Sequence, residues 1–277
     1  MNQDRPAMTP PPTLAARPPV TVLDFAAWKA EGRKISMLTA YDHTMARLLD
    51  AAGVDALLVG DSLGMVVQGR PSTLGVTLDQ MIYHAEMVAR GAEAALVVAD
   101  LPFGSDHSPA QAVASATRVL KETLCQAVKV EGGRTMAPTI RAVVDAEIPV
   151  MGHVGLTPQS VRKLGGFKVQ RDGDRILDDA RAVAEAGAFA LVLECIPAEV
   201  AARITAAVAI PTIGIGAGAG CDGQVLVTPD ILGLYEGIKP KFVRRYANVG
   251  EQMTRAIQSY VADVRSGGFP AASESFR

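Results

Sequence analysis

Three acidic residues draw attention by where they fall. In LLVGDS a run of large apolar residues gives way to Asp61 and Ser62, in LVVAD the run ends in Asp100, and in AVKVE it ends in Glu131. Two later runs end alike, PVMGH in His153 and LVLE in Glu194. A polar residue after an apolar run often does no more than cap it and meet water. Three carboxylates delivered by three successive runs, without an obvious basic partner beside each, ask for more, because like charges brought together repel. A divalent cation would relieve that repulsion. Oxygen ligands with no His/Cys cluster suit a hard ion such as Mg2+, which keeps waters that substrate oxygens can replace. The separations of 39 residues (61 to 100) and 31 residues (100 to 131) match no local metal motif.

Lys129 stands two positions before Glu131, so on a strand the two share a face. An ammonium there would bind a carboxylate or enolate oxygen of a ligand; the simpler alternative is a Lys–Glu ion pair inside the fold. His43 and His84 sit in helical stretches and His107 in a loop, where histidines are more often structural. Cys195 follows Glu194 directly and should point to the opposite side of its strand, as packing and not as a nucleophile.

The elements that must position these residues repeat one theme, a short β-branched apolar run followed by an alanine-rich helical stretch. The runs are 35–40, 54–60, 94–100, 127–131, 148–153, 189–195 and 211–216, with an eighth at 223–227 or 231–234. Near-continuous Val/Ile/Leu runs alternating with helices predict parallel strands buried on both faces. About eight such units close into a (β/α)8 TIM barrel, an α/β fold whose strand ends converge on one mouth. A doubly wound open sheet is the alternative. The glycine-rich GIGAGAGCDG (214–223) lacks the lysine of a P-loop and opens no helix. It reads as a tight loop after the seventh strand whose glycines let backbone approach a ligand, with Asp222 as a turn residue.

The chain has 277 residues, a net charge of −2 and 49% hydrophobic residues, a globular composition without the basic field that nucleic acid binding wants. No apolar run nears the roughly 18 residues that span a bilayer. Three cysteines form no CxxC pair and no even framework, which fits a reducing cytoplasm. Residues 1–19 hold six prolines and few large apolar groups, and are expected to form a flexible tail ahead of a barrel over 20–277.

The strings LTAYD (38–42), LLVGDSLGMVVQG (57–69), TLGVTLDQMIYH (73–84), ADLPFGS (99–105), VKVEGG (128–133), GHVGLTPQS (152–160), GGFKVQ (165–170), LVLECIP (191–197) and IGIGAGAGCDGQVLV (213–227) together resemble the ketopantoate hydroxymethyltransferase family. The resemblance runs from about Val20 to Phe276. It implies a Mg2+-requiring TIM barrel that passes a one-carbon unit from 5,10-methylenetetrahydrofolate to 3-methyl-2-oxobutanoate, giving 2-dehydropantoate. It also implies that Asp61, Asp100 and Glu131 form the metal site, directly or through water. Asp61, Ser62, Asp100 and Lys129 would contact the oxo acid, Glu194 would accept its proton, and His153 and Tyr41 would line the mouth. A homo-oligomer, a decamer of two stacked pentamers, is implied as well. The chain departs from the family pattern in a longer N-terminal tail and a shorter segment after FKVQ. The competing readings are a Mg2+-dependent C–C lyase or mutase of the phosphoenolpyruvate mutase/isocitrate lyase type, and a catalytically idle barrel. With 5% aromatic residues, no pteridine stacking platform stands out.

Overall fold

The computed structural model describes residues 17–235 and 240–276. Its strands are β1 (Ile35–Thr39), β2 (Ala56–Val59), β3 (Leu96–Asp100), β4 (Ala127–Glu131), β5 (Val150–Gly155), β6 (Ala190–Glu194), β7 (Thr212–Ile215) and β8 (Gly223–Leu226). All pair in parallel with their sequence neighbours, and β8 pairs with β1, closing the barrel. The eighth strand therefore takes the first of the two expected segments. Ile231 and Leu232 belong instead to a helix.

The helices begin with α1 (Val22–Glu31) ahead of β1 and α2 (His43–Ala51) after it. Next come α3 (Leu63–Val66) and α4 (Leu78–Gly91) after β2, α5 (Pro109–Glu122) after β3 and α6 (Ala137–Asp145) after β4. Then follow α7 (Val161–Leu164) and α8 (Gly173–Glu185) after β5, α9 (Ala198–Ala207) after β6, and α10 (Thr228–Leu232) and α11 (Val249–Ser266) after β8. Local chemistry sets several starts: Ser108 caps α5 by accepting from the Gln111 N–H, with Pro109 at the first turn, where its missing N–H costs nothing.

Side-chain alternation divides the core in two. Leu57, Val59, Val97, Val128, Val130, Val150, Leu191 and Leu193 point outward and pack with the helices. The inward set, Ile35, Met37, Ala56, Leu58, Leu96, Val98, Ala127, Met151, Ala190, Val192, Ile213 and Val225, fills the barrel. Phe25 of α1 joins that inner cluster, its ring 5.5 Å from Phe189 in an edge contact, so α1 plugs the N-terminal end. Asp222 does more than turn the chain there. Its carboxylate accepts from the Thr212 N–H and pairs with Lys29 Nζ, each at 2.9 Å, tying α1 to β7.

The glycine-rich loop after β7 is the tight connection expected there. Gly216 and Gly218 have φ of 63° and 79°, and an added Cβ would meet the Phe242 ring at 2.8 Å and Ala198 of α9 at 2.5 Å. Glycine is required at both positions by the chain's own packing.

The expected flexible tail lies in its first sixteen residues outside the described part. Arg17, also assigned to it, is anchored: its guanidinium donates to the Gly53 and Val54 carbonyls and pairs with Asp50 at 3.1 Å. Asp50 also accepts from the backbone N–H groups of Ala95 at 2.7 Å and Glu93 at 3.1 Å. Burial alone would raise its carboxyl, but these donors outweigh burial and hold it below the ordinary carboxylate range. Replacing Asp50 by Ala should lower the stability read from urea unfolding by about 2–3 kcal/mol. Because the folded-state value is depressed, that contribution is present at neutral pH and fades as pH falls, so the two proteins' unfolding midpoints should converge below about pH 4.

Candidate active site

The same alternation that fills the barrel delivers the polar residues. Leu96 and Val98 face inward, and two residues on so does Asp100; Ala127 is followed in the same way by Lys129 and Glu131, Met151 by His153, and Ala190 and Val192 by Glu194. Register sets their neighbours. Asp100 lies beside Lys129, Glu131 beside His153, and Gly155 beside Glu194 across adjacent strands. Asp61 and Ser62 stand just past the end of β2, where the Asp61 N–H donates to Asp100 Oδ2 at 3.0 Å.

Asp61, Asp100, Lys129, Glu131 and His153 are all buried, each less than a tenth exposed. Lys129 Nζ is the hub. It lies 3.0 Å from Asp100 Oδ1, 3.6 Å from Glu131 Oε1 and 3.1 Å from His153 Nδ1. His153 extends the network, with Nδ1 3.4 Å from Glu131 Oε1 and Nε2 3.2 Å from Glu194 Oε2. Glu194 is the outermost of the acids, its side chain 16% exposed. Tyr41 is buried, and its hydroxyl shares a hydrogen bond of 2.8 Å with Ser62 Oγ. His84 Nδ1 lies 2.7 Å from the Tyr41 carbonyl and fixes that turn, the structural role expected of it.

Charges crowded away from water shift one another. Asp61 is pushed well above the ordinary carboxylate range by burial, with Glu131 and Asp100 adding repulsion. Asp100 is raised by burial too, although Lys129 opposes the change. Glu131 goes the other way, because Lys129 and His153 outweigh burial and hold it low. Burial and the Lys129 ammonium press the His153 imidazole down, yet Glu131 and Glu194 prevail and raise it to about 9. Lys129 stays an ammonium, as three carboxylates overcome its desolvation.

Among the described residues no three His, Cys, Asp or Glu side chains converge closely enough to enclose a metal ion by themselves. Mg2+ does not need such a cage, since it is usually held by one or two carboxylates and completes its shell with water and substrate oxygens. The β2–β3 edge fits that chemistry. Asp61 and Asp100 adjoin there with an excess of negative charge, and Asp100 Oδ1, though near Lys129, is buried without a well-aligned hydrogen bond. Glu131 is already engaged by Lys129, His153 and the Gln159 N–H, so it suits a water-mediated place better than a direct one.

Gln159 was not singled out from the sequence. It sits in a short turn after β5, where its N–H donates to Glu131 Oε2 at 3.1 Å and its Nε2 donates to Asp61 Oδ2 at 2.9 Å. It thereby spans two of the three carboxylates from 98 residues beyond Asp61, a distance at which spacing carries no signal. Cys195 lies just past the end of β6 with a left-handed φ of 48° and is partly exposed, so strand alternation does not govern it. Its thiol is pushed up to about 12 by burial and then by Glu194, which leaves it no thiolate for nucleophilic attack at neutral pH.

Barrels with a polar mouth serve many reactions, so the fold leaves the chemistry open. Among solved structures the chain is similar to a phosphonopyruvate hydrolase complexed with oxalate and Mg++, at 12% identity and TM-score 0.60, with 92% of this chain and 93% of that one covered. It is likewise similar to a phosphoenolpyruvate phosphomutase from Streptomyces platensis subsp. rosaceus, at 16% identity and TM-score 0.61, covering 89% and 88%. Likeness at that identity shows the barrel alone. Sequence relatives are far nearer. A 3-methyl-2-oxobutanoate hydroxymethyltransferase of Trichlorobacter lovleyi is 56% identical over 264 residues, 94% of this chain and 99% of that protein. One of Moorella thermoacetica is 54% identical over 269 residues, 95% and 100% of the two chains. The family model described as ketopantoate hydroxymethyltransferase matches residues 19–272, and with such coverage the chain belongs to that family.

Proposed function

We propose that this protein transfers a hydroxymethyl group from 5,10-methylenetetrahydrofolate to 3-methyl-2-oxobutanoate, forming 2-dehydropantoate with Mg2+ as its resident metal. The observation that carries the reading is the arrangement of the mouth: a buried ammonium, Lys129, flanked on one side by underneutralised Asp61 and Asp100 and on the other by His153 and Glu194. Mg2+, when bound, supplies Lewis acidity to the keto group of the oxo acid.

The chain's own residues account for the rest. Ser62, beside Asp61 and bonded to Tyr41, offers a hydroxyl at the oxo acid's side of the mouth. Lys129 keeps its proton and donates to the oxygen on which charge develops as C3 loses its hydrogen. Glu194, at the wetter rim of the set, takes the C3 proton, while His153 at 3.2 Å orients its carboxylate. The C3 carbon then bonds to the methylene carbon of the folate as one of its two C–N bonds gives its electron pair to nitrogen, and the second C–N bond breaks in the step that follows. One water provides the product hydroxyl as tetrahydrofolate departs.

The assembly belongs to the same proposal. Helix α11 carries no buried residue, yet Met253, Ile257, Tyr260 and Val264 stand at spacings of four, three and four, an apolar stripe half-exposed along its length. Such a stripe supports a homo-oligomer, up to the implied decamer, in which another subunit covers it. Among the described residues no helix is long and apolar enough to cross a membrane, and the three cysteines are free, as a reducing cytoplasm would keep them.

Proton NMR of 3-methyl-2-oxobutanoate in D2O should show loss of the C3–H signal that requires both protein and Mg2+. Absence of exchange, with tetrahydrofolate added as well, would defeat the enolisation step. Glu194→Gln should slow that exchange about 10²–10⁴-fold while leaving oxo-acid affinity nearly intact, whereas lost affinity would make Glu194 a ligand. Asp61→Ala should abolish the Mg2+ dependence of oxo-acid binding in calorimetry, and an unchanged metal response would remove Asp61 from the site. For the assembly, the double replacement Ile257→Glu with Tyr260→Glu should lower the particle mass seen by light scattering; an unaltered mass would place the subunit contact elsewhere.

A further inference from the structure

Beside the mouth, sharing Glu131 with the network around Lys129, lies a cavity of about 400 Å³ lined by Phe103, Asp106, His107, Glu131, Met136 and Gln159 among others. Its size falls within the roughly 300–1,000 Å³ common for small-molecule sites. Two of its walls are unexplained by the reaction as described. Phe103 is 56% exposed, an aromatic ring left largely to solvent at the rim. Asp106 is the reverse, a carboxylate only 6% exposed that forms no ion pair among the described residues and is held by its own backbone N–H. Burial, then repulsion from Glu131, pushes it up to about 6. A largely buried carboxylate that lines a cavity with only its own backbone N–H, Lys129 and the neighbouring His107 to favour its charge keeps acceptor capacity for a ligand.

We propose that this cavity seats the pteridine ring of the folate co-substrate, with Asp106 receiving the ring's hydrogen-bond donor edge and Phe103 covering its face. The inference rests on the reaction proposed above and adds where its second substrate docks. A 2-amino-4-oxopteridine presents two adjacent donors, the ring N3–H and the 2-amino group, and a carboxylate meets such a pair with two parallel hydrogen bonds. The flat pyrimidine half of the ring matches an exposed phenyl ring, and the Met136 thioether, also in the lining, offers an adaptable contact. Gly104, with φ of 83° and open space where a Cβ would stand, lets the chain turn between Phe103 and Asp106. Glu131 borders both this cavity and the Lys129 network, so a ring lodged here brings its one-carbon unit up to the oxo acid.

Calorimetry with Mg2+ and 3-methyl-2-oxobutanoate present tests this, using tetrahydrofolate and, separately, the ring fragment 6-methyltetrahydropterin. Asp106→Asn should weaken both ligands by about 10–100-fold, as loss of a charge-assisted pair does, with oxo-acid affinity retained. Phe103→Ala should weaken both by about 3–10-fold. Because Phe103 is at the surface, that variant decides the matter should Asp106→Asn fold poorly. Unchanged affinity for the ring fragment in both variants would overturn the assignment, as would a loss confined to the tail fragment 4-aminobenzoylglutamate or to the oxo acid. The two proposals fail separately. A wild-type protein that forms 2-dehydropantoate while Asp106→Asn keeps its KM for the folate removes the docking site alone, whereas a wild-type protein with neither turnover nor C3–H exchange removes both.

Discussion

Everything at the mouth of this barrel answers to one imbalance: three carboxylates share a buried space with a single permanent cation, Lys129. Two like charges a few ångströms apart and shielded from water repel far more strongly than at a surface, where solvent and salt damp them. Lys129 cannot neutralise three partners. It holds Asp100 and Glu131 most closely, at 3.0 and 3.6 Å, and Asp61 is left with the largest excess. His153 offsets part of the load for Glu131 and Glu194 on the far side of the lysine. Gln159 offsets some more with neutral hydrogen bonds. The shortfall that remains is concentrated at the ends of β2 and β3, where the excess negative charge favours a hard cation.

The barrel makes that concentration possible by keeping everything beneath it dry. Inward side chains from Ile35 to Val225 are apolar, and α1 closes the opposite end with Phe25. Inward-facing charges are thus gathered at the last inward position or two of β3–β6, at the mouth, while ion pairs such as Arg33–Asp55 and Lys29–Asp222 lie at the opposite end. Such burial of ionised groups costs stability unless each is paired. The apolar interior and the helix layer supply the surplus of packing that tolerates it, as barrels with active sites at one face commonly do.

How much of this was legible in the sequence follows from the two periods at work. Strand alternation has period two, so Lys129 and Glu131 could be placed on one face from spacing, and the strand-end acids could be assigned to one mouth once eight βα units were recognised. What escaped was whatever depends on loops. Gln159 and Asp106 sit in turns where no period applies, and only the closed barrel brings Gln159 to Asp61. Nor could the packing need for glycine after β7 be read, because composition does not say what the missing Cβ makes room for; Phe242 and Ala198 lie in distant elements. Arg17 was hidden by its proline-rich neighbourhood, since its partners Asp50, Gly53 and Val54 are more than thirty residues away.

The order of the strands gives the site a direction. Reading from β2 to β6, the side chains run Asp61, Asp100, Lys129 with Glu131, His153 and Glu194, and adjacent strands stand about 4.8 Å apart. Charge therefore alternates after β3 but not before it. On the β2–β3 side two acids adjoin without a cation between them, an arrangement that recruits positive charge. On the β5–β6 side Glu194 already has an imidazole at 3.2 Å, which orients it without the tight bidentate grip an arginine would impose. One side thus carries unbalanced negative charge and the other an acid already paired to an imidazole, with the Lys129 ammonium between them. The arrangement consequently depends on register as much as on residue type.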